Sequence, residues 1–180
     1  MKTQNFSKMT NDNYIYIIAE IGINHNGCLN TAKRLIKMAV NAGCDAVKFQ
    51  KRSIDVVYSV NDLAQPRKSP WGNTQKDQKI GLELSIEQYD EIDIYCKEMA
   101  IDWFVSSWDE QSQIKMRKYN SPFNKIASAM ATHTSFLELV ASEQKPTFAS
   151  TGMTSLEDID CLVKIFRKHN CQLMLMHSVS

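Results

Sequence analysis

Apolar and polar positions alternate between two periods along this chain. Short β-rich runs recur at 14–20, 44–49, 101–106, 123–127, 146–150 and 172–176, and longer stretches with helical spacing separate them. The first helix is expected over 31–42, with Ala32, Leu35, Ala39 and Ala42 on one face and Gly43 at a left-handed C-cap. The second begins at Ser85, where Gln88 three residues on completes a capping box, and it carries Ile86, Tyr89, Ile92, Cys96 and Met99 as its apolar stripe. A short helix is expected over 109–118, and Ser135 with Glu138 repeats the capping device before the next one. Ser155 opens the last helix, with Glu157 and Asp158 in its first turn and Leu156, Ile159, Leu162, Val163 and Phe166 facing inward.

Strand and helix in repeated alternation imply parallel βα units, arranged as a doubly wound sheet or as part of a (β/α)8 barrel. About six such units fit, whereas a whole barrel needs about 250 residues. Residues 1–13 are polar and read as a flexible arm ahead of a partial barrel domain over 14–180. One connection breaks the rhythm. Residues 51–84 separate a strand from its helix and include QPRKSPWGNTQKDQK, a length that points to a functional loop, here a lid over the strand ends.

Composition narrows the classes. With 180 residues, 43% of them hydrophobic, the chain can bury an ordinary core. Its 21 basic and 20 acidic side chains leave a net charge of +1, which argues against a nucleic-acid partner. Five scattered cysteines without a C-x-x-C pair suggest neither a disulfide framework nor a zinc site, and point to the cytoplasm. No apolar run approaches a membrane span of roughly 20 residues.

The candidate chemistry gathers at the strand ends. In CDAVKFQ, alternation sends Val47 and Phe49 to one face and Ala46, Lys48 and Gln50 to the other, so Lys48 either snorkels to water or holds an anion. FNKIASAM repeats the theme with Lys125 and Ser128. FVSSWD and FASTGM add Ser106, Ser107, Ser150 and Thr151, hydroxyls of the kind that bind phosphate oxygens or cap helices. Glu20, ending the run YIYIIAE, either pairs with a neighbouring lysine such as Lys48 or works on a substrate. His25 beside it is a candidate metal ligand or base, and reads better as a residue that holds its loop.

Taken in order, IIAEIGINHNG, DAVKFQ, FVSSWD, NKIASAM, KPTFASTGM and LMHSVS resemble the sialic acid synthase (N-acetylneuraminate synthase) family from about residue 15 to 180. The resemblance implies a TIM-type (β/α)8 barrel, incomplete here before its last two strands. It also implies condensation of phosphoenolpyruvate with an N-acetylated aldose to a nonulosonic acid, with release of phosphate. Carried over by motif, Lys48, Ser107, Lys125, Ser128, Ser150 and Ser180 would hold phosphoenolpyruvate. Glu20 would be the active-site carboxylate, Gln50 a sugar contact, and Asn73 a further one. The family's divalent metal (Mn2+ or Mg2+), the histidines that bind it and the C-terminal antifreeze-like domain of its homodimer would lie beyond residue 180. That implies the N-terminal portion of a longer synthase, with no metal ligands of its own. Two motifs depart from the family: Met130 stands where a glutamate is common, and His177–Ser178 replaces His-Cys. A Schiff-base aldolase using Lys48 or Lys125, and a non-catalytic paralogue that binds an anion or a partner subunit, remain the alternatives.

Overall fold

A computed structural model describes residues 13–178 of the chain. They form two compact units, Ile17–Trp103 in one and Phe104 onward with residues up to Tyr16 in the other. Both are α/β in construction, with parallel strands connected through helices.

In the first unit, β1 (Ile18–Gly22) runs parallel to β2 (Ala46–Lys51), with Ile18 opposite Ala46 and Glu20 opposite Lys48. The first strand therefore starts later than the apolar run at 14–20 suggests. The N–H of Ile17 donates to Asp45 Oδ2 at 2.8 Å, so ladder pairing begins only at the next residue. Ile15 is 84% exposed and belongs to no strand. Helix α1 (Leu29–Asn41) begins two residues before its expected start, and its buried face is Ala32, Ile36 and Ala39 rather than one including Leu35 and Ala42. Gly43 caps it as expected, with φ of +77° and its N–H on Val40 O at 3.0 Å.

The 51–84 segment is not an irregular loop. It folds into α2 (Ile54–Val57), α3 (Val60–Ala64), a hairpin of β3 (Pro66–Ser69) and β4 (Gly72–Thr74), and α4 (Gln75–Leu82), which Thr74 and Asp77 cap reciprocally. Its interior is small, made of Ile54, Leu63, Leu82 and Leu84. Polar groups close its neck instead. Glu83 accepts from Lys51 Nζ at 3.1 Å and Arg52 Nε at 2.8 Å, and the Lys51 ammonium also reaches Leu84 O at 2.8 Å. Arg52 is only 5% exposed, so the guanidinium depends on that carboxylate and on Tyr58, whose hydroxyl oxygen accepts from it at 3.2 Å. The segment also meets the loop after β1: a Cβ added at Gly27, where φ is +68°, would fall 2.0 Å from Gly81 O.

Helix α5 (Ile86–Glu98) starts at the expected Ser85–Gln88 capping box and buries Tyr89, Ile92 and Cys96. Tyr89 stacks on Trp103 at 5.8 Å and donates its hydroxyl to Gln50 O at 2.7 Å, and Phe49 meets both rings edge-on. Phe49 thus faces the helices, as alternation from Lys48 requires.

The second unit contains most of β5 (Asp102–Ser107), then β6 (Asn124–Ile126), β7 (Thr147–Ser150) and β8 (Leu173–Met176), paired in that order and all parallel. Between them come α6 (Glu110–Met116), capped by Asp109, α7 (Thr134–Ser142) and α8 (Leu156–Lys168). Ser155 and Asp158 form the expected box on α8, but Ser135 and Glu138 form none. Helix α7 begins one residue before Ser135, with His133 at the N-cap, and Glu138 instead pairs with Lys168 at the end of α8 and with His169, its C-cap. Leu156 is likewise exposed, so Leu162 and Phe166 form the buried face of α8. They pack with Ile126, Ala149, Phe136 and Leu137 into one cluster.

Replacing Glu83 by Ala would leave Arg52 buried without its carboxylate, a loss of about 3–5 kcal/mol. Urea unfolding of Glu83→Ala beside the parent chain measures it; a midpoint within error of the parent would show the neck to be dispensable.

Candidate functional site

Two groups of predicted residues come together, one in each unit. In the first, Glu20 and Lys48 are register partners at the C-terminal ends of β1 and β2, and Lys48 Nζ lies 2.6 Å from Glu20 Oε2. The lysine side chain is 9% exposed and the glutamate 52%, so the ammonium is sheltered while its counter-ion reaches solvent. Lys48 therefore does not snorkel to water. The ladder slips between Glu20 and Gly22, where φ is +52°. A Cβ at Gly22 would lie 2.9 Å from Glu20 Oε1 and 3.2 Å from Gln50 Nε2, so a bare backbone lets carboxylate and amide close in on one point.

His25 is 1% exposed and fixed within its own loop. Its Nε2 is 3.1 Å from Gly22 O and its Nδ1 accepts from Gly27 N–H at 3.0 Å, which defines a neutral ring protonated at Nε2. Burial lowers its pKa below the ordinary histidine value of 6.5. Both ring nitrogens are committed to backbone, which fits the loop-holding reading. Asn73 is exposed on β4, where its N–H donates to Asp77 Oδ2 at 3.0 Å. Among the described residues its side chain has no hydrogen bond to Glu20, Lys48 or Gln50.

In the second unit, Lys125 is 7% exposed and donates to Ser150 Oγ at 2.7 Å and to Ile126 O at 2.7 Å. One step down each strand lie Phe104, Phe123 and Phe148, mutually in contact at 5.2–5.9 Å between ring centroids. Phe148 is itself the register partner of Lys125, so the lysine stem lies against aromatic rings while its ammonium reaches on to Ser150. Ser128 Oγ accepts from Gly152 N–H at 3.0 Å and fixes the loop after β7. Ser107 is fully buried and is the register partner of Ile126, which faces the helices; Ser106 is the partner of Lys125. Met130 lies in the apolar cluster with Phe136 and Leu137, so a glutamate in its place would be buried among hydrocarbon. His177 is exposed, and Ser180 lies outside the described residues.

The described residues hold no group of three or more His, Cys, Asp or Glu side chains able to take a metal ion. The donors among the described residues do not fit the divalent ion that the resemblance implies.

The family model described as "NeuB family" matches residues 35–180. The chain belongs to the NeuB family. An N-acetylneuraminate-9-phosphate synthase of Drosophila melanogaster is 38% identical over 169 residues, 92% of this chain and 45% of that protein. The Homo sapiens protein of the same name is 34% identical over 167 residues, 92% of this chain and 46% of its own length. The crystal structure of the N-acetylneuraminic acid (sialic acid) synthetase from Leptospira borgpetersenii serovar Hardjo-bovis, in complex with citrate, superposes with a TM-score of 0.80. It is 26% identical, over 92% of this chain and 54% of that one. The chain spans about half the length of the curated NeuB-type relatives it matches.

Three features of this NeuB chain escape the motif reading: the phenylalanine contacts, Gly22, and the Glu83 neck. The first has a sequence signal, since Phe-x-Ser, Phe-x-Lys and Phe-x-Ser recur at 104–106, 123–125 and 148–150. Gly22 looks like ordinary turn chemistry, and a single glutamate 31 residues from its arginine carries no local pattern.

Two outcomes are expected. Gly22→Ala combines a strained left-handed φ with contacts on Glu20 and Gln50, and should cost at least about 1–2 kcal/mol in urea unfolding. For His25 the folded pKa is below the unfolded one, so the unfolded chain binds more protons as pH falls. Its stabilisation is complete above about 6.5 and is lost progressively as pH drops below that value. Unfolding midpoints at pH 7.5 and 5.5 should differ more in the parent than in His25→Asn; equal differences would remove the histidine as the cause.

Proposed function

We propose that this chain carries the phosphoenolpyruvate-binding residues of a synthase that condenses phosphoenolpyruvate with an N-acetylated aldose. The product is a sialic or other nonulosonic acid, with phosphate released. The observation that carries the reading is Lys125: a buried ammonium at a strand end, hydrogen-bonded to the Ser150 hydroxyl and standing on phenylalanines. Membership of the NeuB family and the names of the relatives support it.

Lys125, Ser128 and Ser150 take the anion through charge and hydroxyl donors, as phosphate and carboxylate oxygens require. Lys48 adds a second ammonium, held by Glu20. In the reaction, C3 of phosphoenolpyruvate forms a bond to the aldehyde carbon while water adds at C2. The C2–O bond to phosphorus then breaks and inorganic phosphate departs. Fixing the anion lowers the barrier by orientation, and ammonium groups offset charge that grows on the leaving phosphate. Glu20, half in solvent, would accept a hydrogen bond or proton from a sugar hydroxyl or from water, and Gln50 would bind the sugar's polar groups. Asn73 is proposed as a further sugar contact, and Ser180 as a further contact of the anion. A cytoplasmic homodimer belongs to the same proposal and rests on the family resemblance.

Calorimetry with phosphoenolpyruvate tests the reading directly. The parent chain should bind it, and Lys125→Met should weaken binding by about 10–100-fold, the worth of one charge-assisted hydrogen bond. Phosphate release on adding N-acetylmannosamine or its 6-phosphate, with and without Mn2+, tests turnover. Borohydride trapping of a covalent lysine adduct would replace the synthase reading with the aldolase one.

A further inference from the structure

The strand that carries the motif residue Ser107 holds a second serine, Ser106, beside it. Two consecutive serines end this strand, Ser106 at 1% exposure and Ser107 at 0%, and among the described residues neither Oγ has a hydrogen-bond partner. A buried hydroxyl without a partner costs free energy and is uncommon in a native interior. Strand geometry separates the two. Ser106 is the register partner of Lys125, and paired residues on parallel strands point to the same face. Two residues before Ser106 is Phe104, in contact with Phe123 and Phe148, which precede Lys125 and Ser150 by the same spacing. Ser106, Lys125 and Ser150 each follow one of these phenylalanines by two residues, and although the register partner of Lys125 on β7 is Phe148, its ammonium reaches up to the Ser150 hydroxyl. Ser107 is the partner of Ile126, which packs with Phe136, Leu137 and Phe166 on the helix side.

We infer that Ser106 is a further binding residue of the anion site, its hydroxyl donating to an oxygen of the oxyanion that Lys125 and Ser150 hold. This rests on the proposed phosphoenolpyruvate site and extends it to a residue outside the family motif. Ser150 already accepts from Lys125, so its own proton is available to an incoming oxygen. Ser106 offers a second neutral donor on the same face. Its unmet hydrogen-bonding capacity in the ligand-free chain is what binding would satisfy.

The test compares Ser106→Ala, Ser106→Thr and Ser107→Ala in the 180-residue chain, with phosphoenolpyruvate and inorganic phosphate as calorimetric probes and thermal unfolding as the measure of stability. Ser106→Ala should unfold at or above the parent temperature, because it removes an unpaired buried hydroxyl. It should bind phosphoenolpyruvate about tenfold more weakly. Ser106→Thr, which keeps the hydroxyl, should bind within about threefold of the parent, and Ser107→Ala should lose less than Ser106→Ala. Weakened phosphate binding as well assigns Ser106 to the phosphoryl group, and a loss confined to phosphoenolpyruvate assigns it to the carboxylate; either supports the inference. Parent-like affinity of Ser106→Ala for both anions, with Lys125→Met impaired, would overturn it and leave the anion site standing. A parent chain that binds neither anion would overturn both.

Discussion

Glu83 is where the first unit is tied together. The chain leaves β2 at Lys51 and returns to α5 some thirty residues later, with too little apolar interior in between to hold the excursion by burial alone. One carboxylate meets Lys51, the Arg52 side chain and the Arg52 N–H, and so brings the two ends of the excursion to one place. Such a cluster is a weak source of net stability, since desolvation consumes most of the attraction, but it is intolerant of losing a member. It also fixes position. With the neck closed, α4 comes against the loop after β1 closely enough that Gly27 admits no Cβ. That same loop carries His25 and leads away from Gly22, so the arrangement around Glu20 and Gln50 is tied to an ion pair on another segment.

The strands impose a second constraint, set by their period of two. On one face of β2, Phe49 enters the Tyr89–Trp103 packing; on the other, Lys48 meets Glu20. On one face of β6, Ile126 enters the core beneath α7 and α8; on the other, Phe123 and Lys125 succeed one another. Apolar helices cover one side of each strand and leave the other free to end in polar groups. A one-residue slip would bury the lysines among hydrocarbon and turn the core residues away from the helices.

Much of this was legible in the sequence. The six strands, the capped helices at Ser85 and Ser155, the Gly43 stop and the inward turn of Lys48 all follow from local pattern, because each depends on neighbours within four residues. The strands start one to four residues later than their apolar runs, since pairing and not hydrophobicity decides where a ladder begins, as Ile17 and Asp45 demonstrate. Ser135 and Glu138 had the right spacing for a cap and did not form one, because Glu138 finds Lys168, 30 residues away, on another helix. The folded excursion and its Glu83 neck were invisible for the same reason. Contacts that close over long separations leave no periodic trace.

The three phenylalanines beneath Lys125 have a consequence for hydration. Water cannot reach the ammonium from the aromatic side, so its partners must lie beside it or on the open side of the strand ends. A cation solvated from one side discriminates by shape: a single chloride can meet only part of its donor directions, whereas a group with several oxygens on one centre spans them together. Preference for a polyoxygenated anion over a spherical one of equal charge would then be set by three apolar rings that never touch it.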